Sequence, residues 1–238
     1  MIEKLMARLL DEKKHRINNG IYNKLQVDFA YNSNHIEGSK LTHDQTKYIF
    51  ETHTIGFETV PVDDVIEVVN HFRCFDYILD TYDIVVDEDY IKNLHKLLKS
   101  GTFSSMSEVA VVGDYKKYPN EVSNMKTSLP ENVHDDMIKL LNSYVDKTGN
   151  FDDILDFHAQ YEKIHPFYDG NGRTGRLLMF KQCLQNDIIP FIVDDGYKAE
   201  YYRGLHEWQS GGEKGYLRDT CLFMQDNMKN TMEYFRLI

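Results

Sequence analysis

Residues able to do chemistry are concentrated in one run of the chain, His165 to Arg176, which reads HPFYDGNGRTGR. Pro166 disfavours helical backbone at the residue before it, so a preceding helix should stop there and leave the His165 imidazole at the lip of whatever the loop encloses. Gly170, Asn171 and Gly172 tolerate positive φ, which lets successive backbone N–H groups turn inward as an anion-binding nest. The helix expected next carries Arg173 and Arg176 on one face of its first turn. Cations at that end are disfavoured by the helix macrodipole by about 0.3–1 kcal/mol each, so something anionic should compensate them. Nest, helix N-terminus and paired guanidiniums converge on a ligand with several phosphates. Asp169 would be repelled by such a ligand unless a hard cation lay between them, and one carboxylate plus phosphate oxygens commonly holds Mg²⁺. The expectation is a site for a magnesium-loaded nucleotide.

Positioning such a loop takes rigid elements on both sides. Helical periodicity places Ile154, Phe157, His158, Tyr161 and Ile164 on one face between Asp152 and Ile164, and predicts a second helix over Gly172 to Gln185. The two are joined by the loop. Apolar stripes over Met1 to Lys14, Val62 to Leu79 and Tyr90 to Leu98 supply further core helices. From Glu108 to Leu129 the β-branched residues, a glycine and two prolines instead suggest irregular chain or a short exposed hairpin. The predicted class is all-α with one small β element, built as a single compact unit.

Other chemistries fit poorly. Gly170 to Gly175 has the outer frame of a P-loop, but Arg176-Leu177 replaces Lys-Ser/Thr and a helix precedes it where a strand is required. HExxH, GxSxG and clustered Cys/His are absent from the sequence, which argues against metalloprotease, serine-triad and zinc readings. His95, His134, His158 and His206 are scattered and read as structural or solvated. Cys74, Cys183 and Cys221 form no CxxC and read as small buried hydrophobes in a reducing compartment. With 27 basic and 38 acidic residues among 238, the formal charge of −11 repels phosphate backbones and anionic lipid, so nucleic acid and membrane surfaces are not expected partners. No apolar run approaches the roughly 20 residues of a membrane span, and the charged N-terminal segment does not resemble a signal peptide; the expected location is cytoplasmic.

The run HPFYDGNGRTGR resembles the signature H-P-F-x-D/E-G-N-G-R-x-x-R of the Fic family, matching it at every defined position, and the flanking Phe157 to Ile164 and Leu177-Leu178 are similar as well. The resemblance implies a mainly helical Fic fold with a hairpin flap. It divides the chain into an N-terminal helical region at 1–89, a core domain at 90–187 and a C-terminal helical extension at 188–238. It also implies transfer of AMP from ATP to a Ser, Thr or Tyr hydroxyl of a protein, the chain itself included, with release of pyrophosphate and with Mg²⁺ as cofactor. On that basis His165 is the general base and Asp169 the metal ligand. Gly170, Asn171, Gly172, Arg173, Thr174, Gly175 and Arg176 form the phosphate-binding run, with Arg176 on the γ-phosphate. Val122, Ser123, Asn124 and Met125 stand where the family has its flap, in place of a more usual glycine-containing sequence. Tyr201 and Tyr202 resemble the aromatic pair near adenine, and Gln209 stands where some members place an Asn toward the base.

Upstream, Ser33 to Gly38 resembles the family's inhibitory motif S/T-x-x-x-E-G/N. A Glu37 carboxylate paired with Arg176 would occupy the place the γ-phosphate needs, leaving ATP misaligned for attack, and Ser33 would help fix the inhibitory helix. The same glutamate serves hydrolytic removal of AMP in some relatives, so a de-AMPylating hydrolase is the alternative, and a nucleotide-sensing module without catalysis is a third reading. Some family members also assemble through the helices bearing the brake, so a homo-oligomer is among the partners the resemblance allows.

Overall fold

The computed structural model describes residues 1–56, 59–106, 109, 111–122, 125–145 and 147–238. Ten α-helices are present among them: α1 (Ile2–His15), α2 (Ile21–Ile36), α3 (His43–Thr52), α4 (Val62–Asp80), α5 (Glu88–Lys99), α6 (Pro130–Val145), α7 (Phe151–Ile164), α8 (Asn171–Gln185), α9 (Lys198–Gln209) and α10 (Gly215–Tyr234). Between α5 and α6 lies the hairpin of β1 (Glu121–Val122) and β2 (Met125–Lys126), antiparallel with Val122 opposite Met125. Ser123 and Asn124, the other two residues expected in the flap, lie outside the described residues. The all-α class with one small hairpin is therefore the observed one.

Local sequence explains where the helices beside the loop begin. Asn150 and Asp153 form a reciprocal capping box at the start of α7, with Asp153 N–H donating to Asn150 Oδ1 at 3.0 Å and Asn150 N–H to Asp153 Oδ2 at 3.3 Å. Such a cap stabilises a helix by about 1 kcal/mol. Gly170, at φ +81°, is the N-cap of α8 and supplies the left-handed turn that a residue with a Cβ adopts reluctantly.

α8 is the central element and is covered by α2, α4, α5 and α7. Every residue from Arg173 to Leu184 is buried, so this helix has no solvent face, and its polar residues Arg173, Arg176, Lys181 and Gln182 are buried along with its apolar ones. One side, through Leu177 and Phe180, joins a core containing Leu5, Phe29, Phe75, Leu94, Met137 and Phe157. Phe180 packs with its ring centroid 5.2 Å from that of Phe29 and 5.5 Å from that of Phe75, contacts worth about 0.5–1.5 kcal/mol each beyond their buried area. The other side, through Met179 and Cys183, meets Tyr201, Trp208, Leu217 and Met224 of α9 and α10. Cys74, Cys183 and Cys221 are all buried and unpaired. Among the described residues no helix is long and apolar enough to cross a membrane.

Candidate active site

The loop between α7 and α8 closes on itself before it can bind anything. His165 ends α7 in a left-handed conformation, φ 52° and ψ 62°, with its N–H on the Tyr161 carbonyl at 2.9 Å. A non-glycine residue there costs on the order of 1–3 kcal/mol and is retained where the surroundings over-determine it. The Asn171 side chain holds both sides of Phe167, accepting its N–H and donating to its carbonyl, each at 2.8 Å. The Asn171 amide is thus committed to the loop, and what the segment offers a phosphate is the open first-turn N–H groups of α8, which has no side-chain cap.

His95, on α5, completes the loop from below. Its ring stacks on Phe167 with centroids 3.7 Å apart and planes 1° from parallel. Nδ1 accepts the Gly113 N–H at 3.0 Å, so Nε2 carries the proton that is donated to the Asp169 carbonyl at 2.9 Å. Burial pushes the His95 pKa down to about 4, which keeps this tautomer neutral.

The hairpin is tied to the same loop by a buried polar knot. Lys116 donates its backbone N–H to the Pro166 carbonyl at 2.9 Å, and its Nζ to Asn120 Oδ1 at 2.6 Å and Thr127 Oγ1 at 2.7 Å. Asn120 reaches the Phe167 carbonyl at 3.2 Å, and Ser128 N–H reaches the Ile164 carbonyl at the same distance. Burial lowers the Lys116 pKa to about 8. Burial and the Lys116 cation together push the His165 pKa down to about 4, against the opposing pull of the Glu162 backbone, Glu37 and Asp169. The imidazole is neutral near pH 7 and able to accept a proton.

The anion that the sequence demanded for Arg173 and Arg176 is supplied by the chain. Glu37, just past the last turn of α2, places Oε1 2.7 Å from Arg176 Nη2. Ser33 accepts from the same guanidinium, through Oγ at 3.1 Å from Nε and through its carbonyl at 2.9 Å from Nη2. Burial alone would raise the Glu37 pKa, but Arg176 and Arg173 outweigh it and hold it below the ordinary carboxylate value. The carboxylate lies directly over Gly172, where a Cβ would collide with it and come 3.0 Å from Arg176 Nη1. Arg173 pairs with Glu67 of α4, stands 3.3 Å from Asn34 Oδ1, and lies 3.5 Å from Asp169. Asp169 is in turn held by Lys99 of α5 at 2.6 Å and by the Gly170 N–H at 2.6 Å. Burial opposes its ionisation, yet Arg173 and Lys99 bring its pKa down to about 2.

The remaining sequence candidates occupy different surroundings. Thr174 and Gly175 are buried within the first turns of α8, Gly175 facing the Glu162 carboxyl. Tyr202 is half-buried with its phenol toward Arg176, whereas Tyr201 is fully buried with its hydroxyl 2.5 Å from His158 Nε2. Gln209 donates to the Ala159 carbonyl at 2.9 Å and ties α9 to α7. Glu67, Lys99, Lys116 and Glu162 belong to the site but not to the motif. Glu67 and Lys99 sit at the polar edges of helices whose apolar stripes dominate the pattern, and nothing local marks them. Burial raises the Glu162 carboxyl to a pKa of about 8 despite Arg176, so it is largely protonated at neutral pH.

Among the described residues no group of three or more His, Cys, Asp or Glu could cage a metal. Asp169, half exposed beside the open amides, suits instead a hard cation that brings most of its ligands with it, as magnesium does when carried on phosphates.

The comparisons agree with this geometry. Residues 85–183 match the Fic/DOC family. The chain is 24% identical over 200 residues to a protein adenylyltransferase Fic of Nematostella vectensis, covering 79% of this chain and 44% of that protein. It is 24% identical over 216 residues to the protein of the same name from Drosophila erecta, covering 86% and 41%. It therefore spans less than half the length of these curated relatives. Among solved structures, a Fic domain-containing signaling protein from Bacteroides thetaiotaomicron superposes with a TM-score of 0.74 at 20% identity, over 96% of this chain and 94% of that one. Fic-1 of C. elegans superposes with a TM-score of 0.71 at 20% identity, over 99% and 73%. The helix pair closed by the His-Pro-Phe loop, its amides open to phosphate, lies within residues 85–183, the segment that is similar to the Fic/DOC family.

Proposed function

We propose that the chain is an autoinhibited protein adenylyltransferase that moves the AMP of ATP onto a Ser, Thr or Tyr hydroxyl of a protein, either a separate target or the chain itself. The observation that carries this reading is the 2.7 Å pair between Glu37 and Arg176, set inside a complete Fic loop. The adenylyltransferase names of the relatives support the reaction class. In this reading residues 1–89 carry the brake, 90–187 the catalytic core and 188–238 the extension behind it.

His165 takes the proton from the attacking hydroxyl as oxygen bonds to the α-phosphorus and the bond to pyrophosphate breaks. General-base help of this kind contributes typically about 10²–10⁴-fold. The α8 amides, with Arg173, bind the phosphates and stabilise charge developing in the transition state. Asp169 would hold a magnesium ion, which when bound neutralises phosphate charge. The β1–β2 hairpin, anchored through Lys116, presents the target segment beside the loop. Glu37 holds Arg176 and lies where a phosphate would approach Gly172, so ATP cannot seat its terminal phosphate there in the resting protein. Misplacement by about 1 Å is enough to cost 10²-fold.

The test is incubation with α-labelled ATP and Mg²⁺ followed by intact-mass measurement. Wild type should gain little or no AMP, Glu37→Gly should raise transfer by up to about 10²-fold, and His165→Ala in that background should abolish it. A Glu37→Gly protein that transfers no AMP sinks the reading. Hydrolytic removal of AMP, the alternative, would instead be lost in that variant.

A further inference from the structure

Four charged side chains behind the phosphate loop form a closed square of alternating sign. Lys99 Nζ bridges Glu67 Oε1 and Asp169 Oδ2, the latter at 2.6 Å. Arg173 bridges Glu67 Oε2 and Asp169 Oδ1, the latter at 3.5 Å. The square is neutral overall, and its corners are unequally placed: the side chains of Lys99 and Arg173 are 4% exposed and that of Glu67 14%, whereas that of Asp169 is 48% exposed. An incoming cation can reach only the Asp169 corner.

We propose that Lys99 and Glu67 set the metal affinity of Asp169, Lys99 as a tethered cation competing for the carboxylate and Glu67 as the countercharge that lets the carboxylate leave. The inference rests on the reading of Asp169 as the metal-holding residue. To turn an oxygen toward a divalent cation, Asp169 must loosen its hold on Lys99. Lys99 cannot follow it into water because its stem is buried beneath Gly170, with Cδ and Cγ each 3.2 Å from where a Cβ would stand. Two buried cations left without Asp169 would be costly, and Glu67 is, among the described residues, the only other acidic side chain paired with both. Neither residue touches substrate in this account; both act through Asp169.

The two positions therefore have opposite signs. Lys99→Met removes the competitor and keeps the Glu67–Arg173 pair. Glu67→Gln leaves Lys99 and Arg173 dependent on Asp169 and grips that carboxylate harder. The measurement is Mn²⁺ affinity, by electron paramagnetic resonance of free Mn²⁺, for the full chain carrying Glu37→Gly and saturated with α,β-methylene ATP. Each change should be about tenfold, the scale on which one nearby charge alters the charged-state preference of a carboxylate: tighter for Lys99→Met, weaker for Glu67→Gln. A general loss of structure would weaken both and lower the melting temperature. If Glu67→Gln does not fold, Lys99→Met decides alone, since a merely structural lysine gives no gain of affinity. Unchanged affinity in Lys99→Met, or weakening in both variants, overturns the inference provided Asp169→Asn abolishes binding. An Asp169→Asn protein that binds Mn²⁺ normally overturns the metal reading of Asp169 and this inference with it.

Discussion

A carboxylate at the C-terminal end of a helix is ordinarily opposed by the macrodipole, yet Glu37 is the C-cap residue of α2. Arg176 and Arg173 offset that cost, so the glutamate is held by the two guanidiniums at the start of α8. Gly172 shows why the contact is so close: the absence of a side chain leaves a seat that either a carboxylate or a phosphate can fill. Gly172→Ala should fill it permanently. AMP transfer in the Glu37→Gly background should fall by about 10²-fold with little change in melting temperature, because alanine suits a helix and the methyl stands where the nucleotide would sit. Unimpaired transfer in that double variant would mean the phosphates sit elsewhere. Lys116 acts on His165 by charge as well as on the hairpin by hydrogen bonds. Lys116→Met should raise the His165 pKa above about 4, which a nuclear magnetic resonance titration of the imidazole reads directly.

At the scale of elements, the Glu37–Arg176 pair depends on how the end of α2 is moored. His35 Nδ1 lies 2.7 Å from Asp195 Oδ2, the Asp195 N–H donates to Asn32 Oδ1 at 2.9 Å, and Lys198 donates to the Ile36 carbonyl. These contacts join α2 to the turn that leads into α9, which bears Tyr202. Asp195→Ala removes the half-exposed His35 contact, worth about 0.2–1 kcal/mol, and should raise basal AMP transfer by no more than about fivefold, well short of Glu37→Gly. Hydrogen exchange over the last turn of α2 should quicken in parallel. Equal exchange in variant and wild type would show that packing of α2 on α8 and α4 alone holds Glu37 on Arg176.

At the scale of the molecule, the interior keeps several histidines neutral. Burial pushes His71 and His158 down to about 3 and His95 and His165 to about 4. In the unfolded chain such groups protonate near pH 6.5, so below that value the unfolded state binds more protons and stability falls with pH, by about 1.4 kcal/mol per unit for each histidine until its folded pKa is reached. Glu162, protonated in the folded chain and ionised in the unfolded one, works in the opposite direction and offsets about one of the four histidines, while the depressed Asp169 and Glu37 are still largely ionised and add little; the melting temperature should therefore still drop between pH 6.5 and pH 4.5. A melting temperature flat across that window would mean these imidazoles are hydrated in solution.

The helices with apolar stripes at 3.6-residue spacing, α1, α4, α5 and α7, were legible along the chain because burying one face leaves a periodic record, and α8 was legible from the loop that starts it and the apolar residues that follow. α2 was not, since it buries Asn23, Gln26, Ser33 and Asn34 together with its apolar residues, and a helix that spends polar side chains inside has no clean stripe. The motif from His165 to Arg176 was legible because a tight turn over open amides admits few residue types, and the need for an anion near its arginines followed from charge alone. Which anions met that need was decided by packing: α2 delivers Glu37 to Arg176, α4 delivers Glu67 to Arg173, and α5 delivers Lys99 to Asp169. Those partners lie 70 to 139 residues from one another along the chain where hydrogen bonds record the separation. Sequence spacing governs what neighbours on one helix can do; only the folded core brings together charges carried on different ones.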